Sequence, residues 1–222
     1  MIDPASGPLR VRRGIAVTAL TIIALTLARP GMAYTEAEYE DASRALRAVY
    51  AGDNAAIPVA LDKFKALSPA GSADPLVMVN VGAATSLQSR ATILPWKKIS
   101  YAEDGMAIQD KAIALLTPAH DASLYKGTPV SLHVRLVAAS TFLSVPRFFN
   151  REAQGGKILN GIMDSPLFEQ ANPQFKGATW MRAARWAVDE KRLEDAKKYL
   201  LIVIERSAPQ AHEAAAQLAA IQ

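Results

Sequence analysis

Cysteine is absent from the 222 residues. That excludes a disulfide framework, thiolate metal sites, a cysteine nucleophile and a lipidated cysteine. Aromatic residues make up only 7% of the chain and alanine recurs throughout, a balance that favours helix over sheet. No segment sustains the alternation of β-branched and polar residues that marks a half-buried strand, so no sheet is expected. An excess of one charge is missing too. Residues 1–33 hold four arginines against one aspartate, which leaves 21 basic and 20 acidic residues in the remainder. The sequence pI near 9.3 therefore reflects the N-terminus, and the rest offers no broad basic field for nucleic acid. What is present is a globular balance, 50% hydrophobic and 21% charged, at a length suited to one domain or two small ones.

The N-terminus reads as an address. Arg10-Val11-Arg12-Arg13 precedes an uncharged run from Gly14 to Ala28, and Arg29-Pro30-Gly31-Met32-Ala33 follows. A basic head, a short apolar run and small residues at the end match a secretory signal peptide over residues 1–33. Cleavage near Tyr34 would leave 34–222 as the mature chain, exported to the periplasm. Arg12-Arg13 keeps a twin-arginine route open beside the general one. The alternative is an uncleaved anchor helix, for which the run is short against about 30 Å of hydrocarbon. No later run of apolar residues reaches spanning length.

Helical periodicity dominates the remainder. Glu36–Ala51 spaces Ala42, Ala45, Leu46, Val49 and Tyr50 along one helix with acidic residues in its first turn, as the helix dipole favours. Pro58–Leu67 gives a second helix. Asp74 reads as a cap and Pro75 as the first position of a helix through Leu87, with Gly82 and Ala83 small enough for close packing. Pro95 starts a helix reaching Leu116. Thr128 is expected to cap a helix over Val130–Val145, which is apolar on nearly every side and so central. Gly156–Met163 gives a short helix that Asp164-Ser165-Pro166 stops. Asn172-Pro173 opens a hairpin of Gln174–Val188 and Leu193–Arg206, and Gln210–Ile221 follows as a last helix.

These helices fall into pairs that start near residues 36, 74, 128 and 174. Repeats of roughly 35–50 residues mark a helical-hairpin solenoid. The last pair carries Trp180, Ala183, Ala184 and Ala187, a polar turn, then Ala196, Leu200, Val203 and Pro209. This pattern resembles the tetratricopeptide repeat (TPR), with Ala187 in place of the usual aromatic, Ala184 in place of the usual glycine and Pro209 one residue late. Leu46, Tyr50, Ala60, Phe64 and Pro69 repeat it more faintly in the first pair. The resemblance implies an all-α fold: a TPR-like superhelix of about four hairpins plus a C-terminal capping helix. An irregular helical bundle is the alternative for the same alanine-rich hairpins.

Residues able to carry chemistry are scattered. His212-Glu213 begins like a helical zinc motif, but Ala216 and Gln217 stand where a second histidine would serve. His120-Asp121 follows Pro118 in an expected loop, and His133 lies on the most apolar helix as a core histidine. Gly155-Gly156-Lys157 lacks the strand and the hydroxyl of a phosphate loop, and no nucleophile-elbow motif occurs. Adjacent Glu103 and Asp104 diverge by about 100° on a helix. The expectation is a protein that is not an enzyme and carries no metal or cofactor.

The expected function is a binding scaffold or adaptor for a protein or peptide, a membrane-associated complex among the candidates. The alternative is a small-molecule-binding accessory protein of a periplasmic transport system. Arg135, Met181 and Arg185 are the candidates on the concave face, the two arginines as bidentate partners of a carboxylate. Two unusual turns join them. One contains Pro95, Trp96, Lys97 and Lys98; the other contains Pro146, Arg147, Phe148, Phe149 and Arg151. Each sets a proline beside aromatics and two cations, and stacked hairpins would bring the two turns together as an edge patch. The competing expectation is that Trp96, Phe148 and Phe149 fold inward and seal the core.

Overall fold

Three of the longest helices begin where a short polar side chain precedes a proline or an acidic turn. In the computed structural model, which describes residues 34–68 and 73–221, Thr35 caps α1 (Glu36–Tyr50). Its hydroxyl accepts from the Glu38 amide at 3.3 Å while the Thr35 amide donates to the Glu38 carboxylate at 2.7 Å. The bond from the Thr35 amide, with a second from the Thr35 hydroxyl to the same carboxylate at 2.8 Å, favours the ionised form and holds the Glu38 carboxyl below its ordinary pKa. Asp74 accepts from the Leu76 amide at 2.8 Å and caps α3 (Pro75–Leu87). Asn172 does the same for α9 (Pro173–Asp189) through the Phe175 amide at 2.8 Å. In α3 and α9, proline fills a first-turn position whose missing N–H costs nothing.

The other helices are α2 (Ala56–Ala66), α4 (Pro95–Ala114), α5 (Pro118–Ala122), α6 (Val130–Phe142), α7 (Glu152–Met163), α8 (Pro166–Gln170), α10 (Leu193–Glu205) and α11 (Ala211–Ala220). The described residues are therefore overwhelmingly helical. α1 packs on α2, α3 on α4, α6 on α7 and α9 on α10. Successive pairs meet as α2 on α3, α4 and α3 on α6, and α7 on α9, while α11 lies on α10. No helix among the described residues is long and apolar enough to cross a membrane. The signal-peptide reading of residues 1–33 lies outside the described residues.

Several local expectations are corrected. Residues 124–129 form a small antiparallel hairpin, β1 (Leu124–Tyr125) against β2 (Thr128–Pro129), where no strand was expected. Lys126 and Gly127 both take positive φ, 49° and 72°, the turn geometry that matches the twist of paired strands. Thr128 consequently sits in a strand and does not cap α6; its hydroxyl accepts from the Asn172 amide at 3.0 Å. Residues 118–122 and 166–170 are short helices, α5 and α8, where a loop and a stop were expected. In both, a hydroxyl residue before proline starts a helix as readily as it ends one. Tyr50, read as one of the apolar stripe of α1, is 56% exposed.

The core runs from Tyr39, Leu46 and Phe64 through Leu76, Val77 and Met106 to Phe142. A second cluster joins Leu132 and Ile162 to Phe175, Trp180, Leu200 and Val203. A chain of edge-to-face rings links the two: Tyr39 to Tyr125 at 4.9 Å, Tyr125 to His133 at 5.2 Å, and His133 to Phe175 at 4.9 Å between centroids. Such ring pairs add about 0.5–1.5 kcal/mol each beyond their buried area. α3 is enclosed along nearly its whole length, and with α6 it forms the centre. Gly82 of α3 faces Gly105 of α4 at a backbone-to-backbone approach, so the close packing expected at Gly82 is present and has a second glycine opposite it.

Candidate functional site

Helix faces at the margin of the core line one groove of about 760 Å³. Leu87 and Ala102 are themselves core residues, and Val137, Val145 and Phe149 pack against the core. The first helix of each of the four packed pairs contributes to it. α1 supplies Tyr50; α3 supplies Ala83, Ser86 and Leu87; α6 supplies Leu136, Val137, Ser140 and Thr141; α9 supplies Arg182. The N-terminal end of α4, with Pro95, Lys98 and Ile99, forms one wall. The turn after α6, with Val145, Pro146, Phe148 and Phe149, forms another. The two proline–aromatic turns therefore line the same groove.

Behind the wall a buried amide holds three helices in place. Gln109 of α4 donates to the Val79 carbonyl of α3 at 3.3 Å and to the Thr141 hydroxyl of α6 at 2.9 Å. Thr141 in turn donates to the Val137 carbonyl at 3.3 Å. A side chain that donates to two neighbouring helices ties their relative rotation, each such bond contributing about 0.5–1.5 kcal/mol, while its own Oε1 is buried with no hydrogen-bond partner among the described residues.

The charges on the lining have one sign. Arg90, Lys98 and Arg182 line the groove and no Asp or Glu does. Arg182 is the unusual member. Its Nε and Nη2 are buried and have no hydrogen-bond partner among the described residues. Burial pushes the guanidinium down to about 10; Asp189 opposes that shift and Arg185 adds to it. The group remains protonated at neutral pH. Tyr50 projects into the groove, where surrounding protein mass raises its phenol while Arg90 and Arg182 pull it back. The residue as a whole is nevertheless 56% exposed.

The residues singled out from the sequence divide among three settings. Trp96 and Phe148 are each 65% exposed, so neither seals the core. Phe149, its ring tilted 34° to that of Phe148 at 4.3 Å between centroids, packs against the core instead. Lys97 and Lys98 are exposed at the start of α4. Arg147 bridges Glu190 at 2.5 Å and Glu152 at 3.7 Å, tying the α6–α7 turn to the end of α9. Arg151 pairs with Asp110 at 2.7 Å and lies over the Phe142 ring at 5.2 Å, a tie between α7 and α4. Arg185 pairs with Asp189 one turn along its own helix at 3.5 Å. Met181 packs on the C-terminal core cluster, and Arg135 is half-buried on α6 outside the groove lining. Sequence reasoning missed Arg182, Tyr50 and Arg90.

The histidines lie apart. His133 is held between the Tyr125 and Phe175 rings, with Nε2 3.2 Å from the Tyr125 carbonyl, and burial pushes it down to about 4. His120 Nδ1 accepts from the Thr117 amide at 3.0 Å at the start of α5. His212 is exposed on α11. No cluster of three or more His, Asp or Glu placed to hold a metal occurs among the described residues. Comparison with protein-family models, with curated proteins and with solved structures finds no match to this chain.

Proposed function

We propose that the chain is a non-catalytic binding protein, a TPR-like superhelix that is exported to the periplasm and receives a protein or peptide partner along its concave side. The observation that carries this reading is the shared groove: one helix from each of four hairpins lines it, as stacked helical repeats do on their concave wall. Its rim supports the same reading. Ile93 at 91%, with Trp96 and Phe148, is exposed beside Lys97 and Lys98, and clustered aromatics with cations are the composition of binding hot spots. Export rests on the pattern of residues 1–33 alone.

Affinity capture from periplasmic extract tests it, with wild type and a Trp96→Ala/Phe148→Ala double variant run side by side. The expected result is a partner retained by wild type and lost by a variant of unchanged melting temperature. Equal capture by both, or a mature chain that does not begin near Tyr34 by mass spectrometry, contradicts the corresponding part.

A second reading, a small-molecule-binding accessory protein, is favoured by the groove's interior. Its volume of about 760 Å³ falls inside the range of about 300–1,000 Å³ typical of small-ligand sites. Its walls are mainly apolar, with a few convergent polar groups.

A further inference from the structure

The groove carries a pattern of chemistry that the second reading leaves open. One stretch of wall is apolar: Ile99 from α4, Leu136 and Val137 from α6, and Val145 and Phe149 from the turn beyond. Arg90, Lys98 and Arg182 bring three positive charges to the same lining without a lining carboxylate. None of the three forms an ion pair among the described residues. Arg182 has the larger deficit. The carboxylate acting on it, Asp189, is engaged by Arg185. Its Nε and Nη2, the side-on fork that matches a carboxylate or phosphate in two parallel bonds, are desolvated and unpartnered. A buried cation with spare donors is costly to keep, and an anion on this wall would offset that cost.

We propose that the groove binds an amphipathic anion, with its acidic head on the Arg182 guanidinium and its apolar body along the wall made by Ile99, Leu136, Val137, Val145 and Phe149. The proposal rests on the small-molecule reading and adds the ligand's chemistry. Arg90 and Lys98 flank the head and steer it by charge. Arg182 Nε and Nη2 are enclosed in the free protein, so binding requires the side chain to turn its fork toward the groove as the head arrives. The Ser140 hydroxyl lies on the same lining. Ser144 is already committed, donating to the Ser140 carbonyl at 2.6 Å.

The test is calorimetric titration of the full-length chain with dodecanoate, dodecyl phosphate and uncharged monododecanoyl glycerol, each below its micelle concentration. Wild type should bind one or both anions at least about tenfold more tightly than the neutral lipid, since a hydrogen-bonded charge contributes that much or more. Arg182→Gln should remove that preference and leave the neutral lipid's affinity unchanged, with an unaltered melting temperature showing that the variant is folded. Arg182→Lys should restore charge without the fork and recover only part of the preference. Equal binding of anion and neutral lipid by wild type, or an undiminished preference in folded Arg182→Gln, overturns the anion assignment and leaves the small-molecule reading standing. Failure of all three to bind overturns both and leaves docking at the rim untouched.

Discussion

Replacing Gly105 by alanine should destabilise the protein, and replacing Gly161 by alanine should stabilise it, although both glycines lie inside helices. A Cβ at Gly105 would stand 2.5 Å from the Gly82 carbonyl, 2.6 Å from the Ser86 amide nitrogen and 2.1 Å from the Ser86 hydroxyl. The hydroxyl can rotate away; the two backbone atoms cannot. Normal contact near 3.5 Å therefore requires α3 and α4 to part by roughly 1 Å. That loosens the packing around Met106 and Gln109 on the same face of α4. Overpacking of this kind costs about 1–3 kcal/mol and sometimes more, against about 1 kcal/mol gained from alanine's helix propensity. Because the obstruction is backbone, the upper part of the range applies, for a net loss of about 2 kcal/mol. In a chain of this size that lowers Tm by about 4–8 °C. A Cβ at Gly161 meets nothing within 4 Å, so Gly161→Ala should gain about 0.5–1 kcal/mol. Urea denaturation of the three proteins reads both changes from the midpoint at constant slope. A Gly105→Ala protein as stable as wild type or more so would refute the close crossing, and a destabilised Gly161→Ala protein would refute the open space at that position.

The His133 imidazole titrates at about 4 in the folded chain against about 6.5 when unfolded. The neutral form is the one that folds, so stability should be full above pH 6.5, fall as pH drops and level off near 4, for a loss of about 3 kcal/mol from this group. His133→Gln should flatten that part of the stability–pH curve, and an unchanged slope would show the ring to be freely protonated. Trp96→Ala and Phe148→Ala, both in exposed positions, should each change stability by less than about 1 kcal/mol. A loss of 3 kcal/mol or more on thermal melting, the cost of emptying an aromatic's core site, would place those rings in the core. Arg182→Met should leave stability unchanged or raise it by about 1 kcal/mol, because it removes a desolvated cation whose Nε and Nη2 lack partners. A clear loss would mean that the guanidinium supports the fold.

Helix starts were the most legible part of the sequence, because the signal is local and chemical. Asp74-Pro75, Asn172-Pro173 and Pro95 open helices where their side chains and fixed φ dictate. The pairing of Trp180 and Ala183 on α9 with Ala196, Leu200 and Val203 on α10 was equally plain, since small residues must face a partner helix. Ser165-Pro166 was ambiguous by nature: it ends α7 and caps α8, through the Ser165 hydroxyl and the Leu167 amide at 3.3 Å. Gly105 carried no signal of its own in the sequence; only α3, with its own glycine opposite, reveals why that position must be bare.

The groove was harder to read, because its location depends on the rotation of each helix against its neighbours. On α9 the sequence pointed to Met181 and Arg185. Arg182, about 100° around the helix from Met181, is the residue that reaches the groove, at the margin of the buried stripe of Trp180, Ala183 and Ala187. The lack of carboxylates on the groove lining could not be counted before α1, α3, α4 and α6 were placed. Tyr50 sits next to Val49 in an apolar run, and only the packing separates the core residue from the groove residue.

The lack of cysteine allows a direct test of where ligands bind. A single environment-sensitive dye can be attached at Ser89→Cys on the groove lining, and separately at Lys198→Cys on the exposed side of α10. Dodecanoate should shift the emission of the dye at position 89 to shorter wavelength in a saturable manner, with the dye at 198 silent and Arg182→Gln weakening the response about tenfold. Equal responses at both positions, or a response at 198 alone, would contradict the assignment of the groove as the binding site.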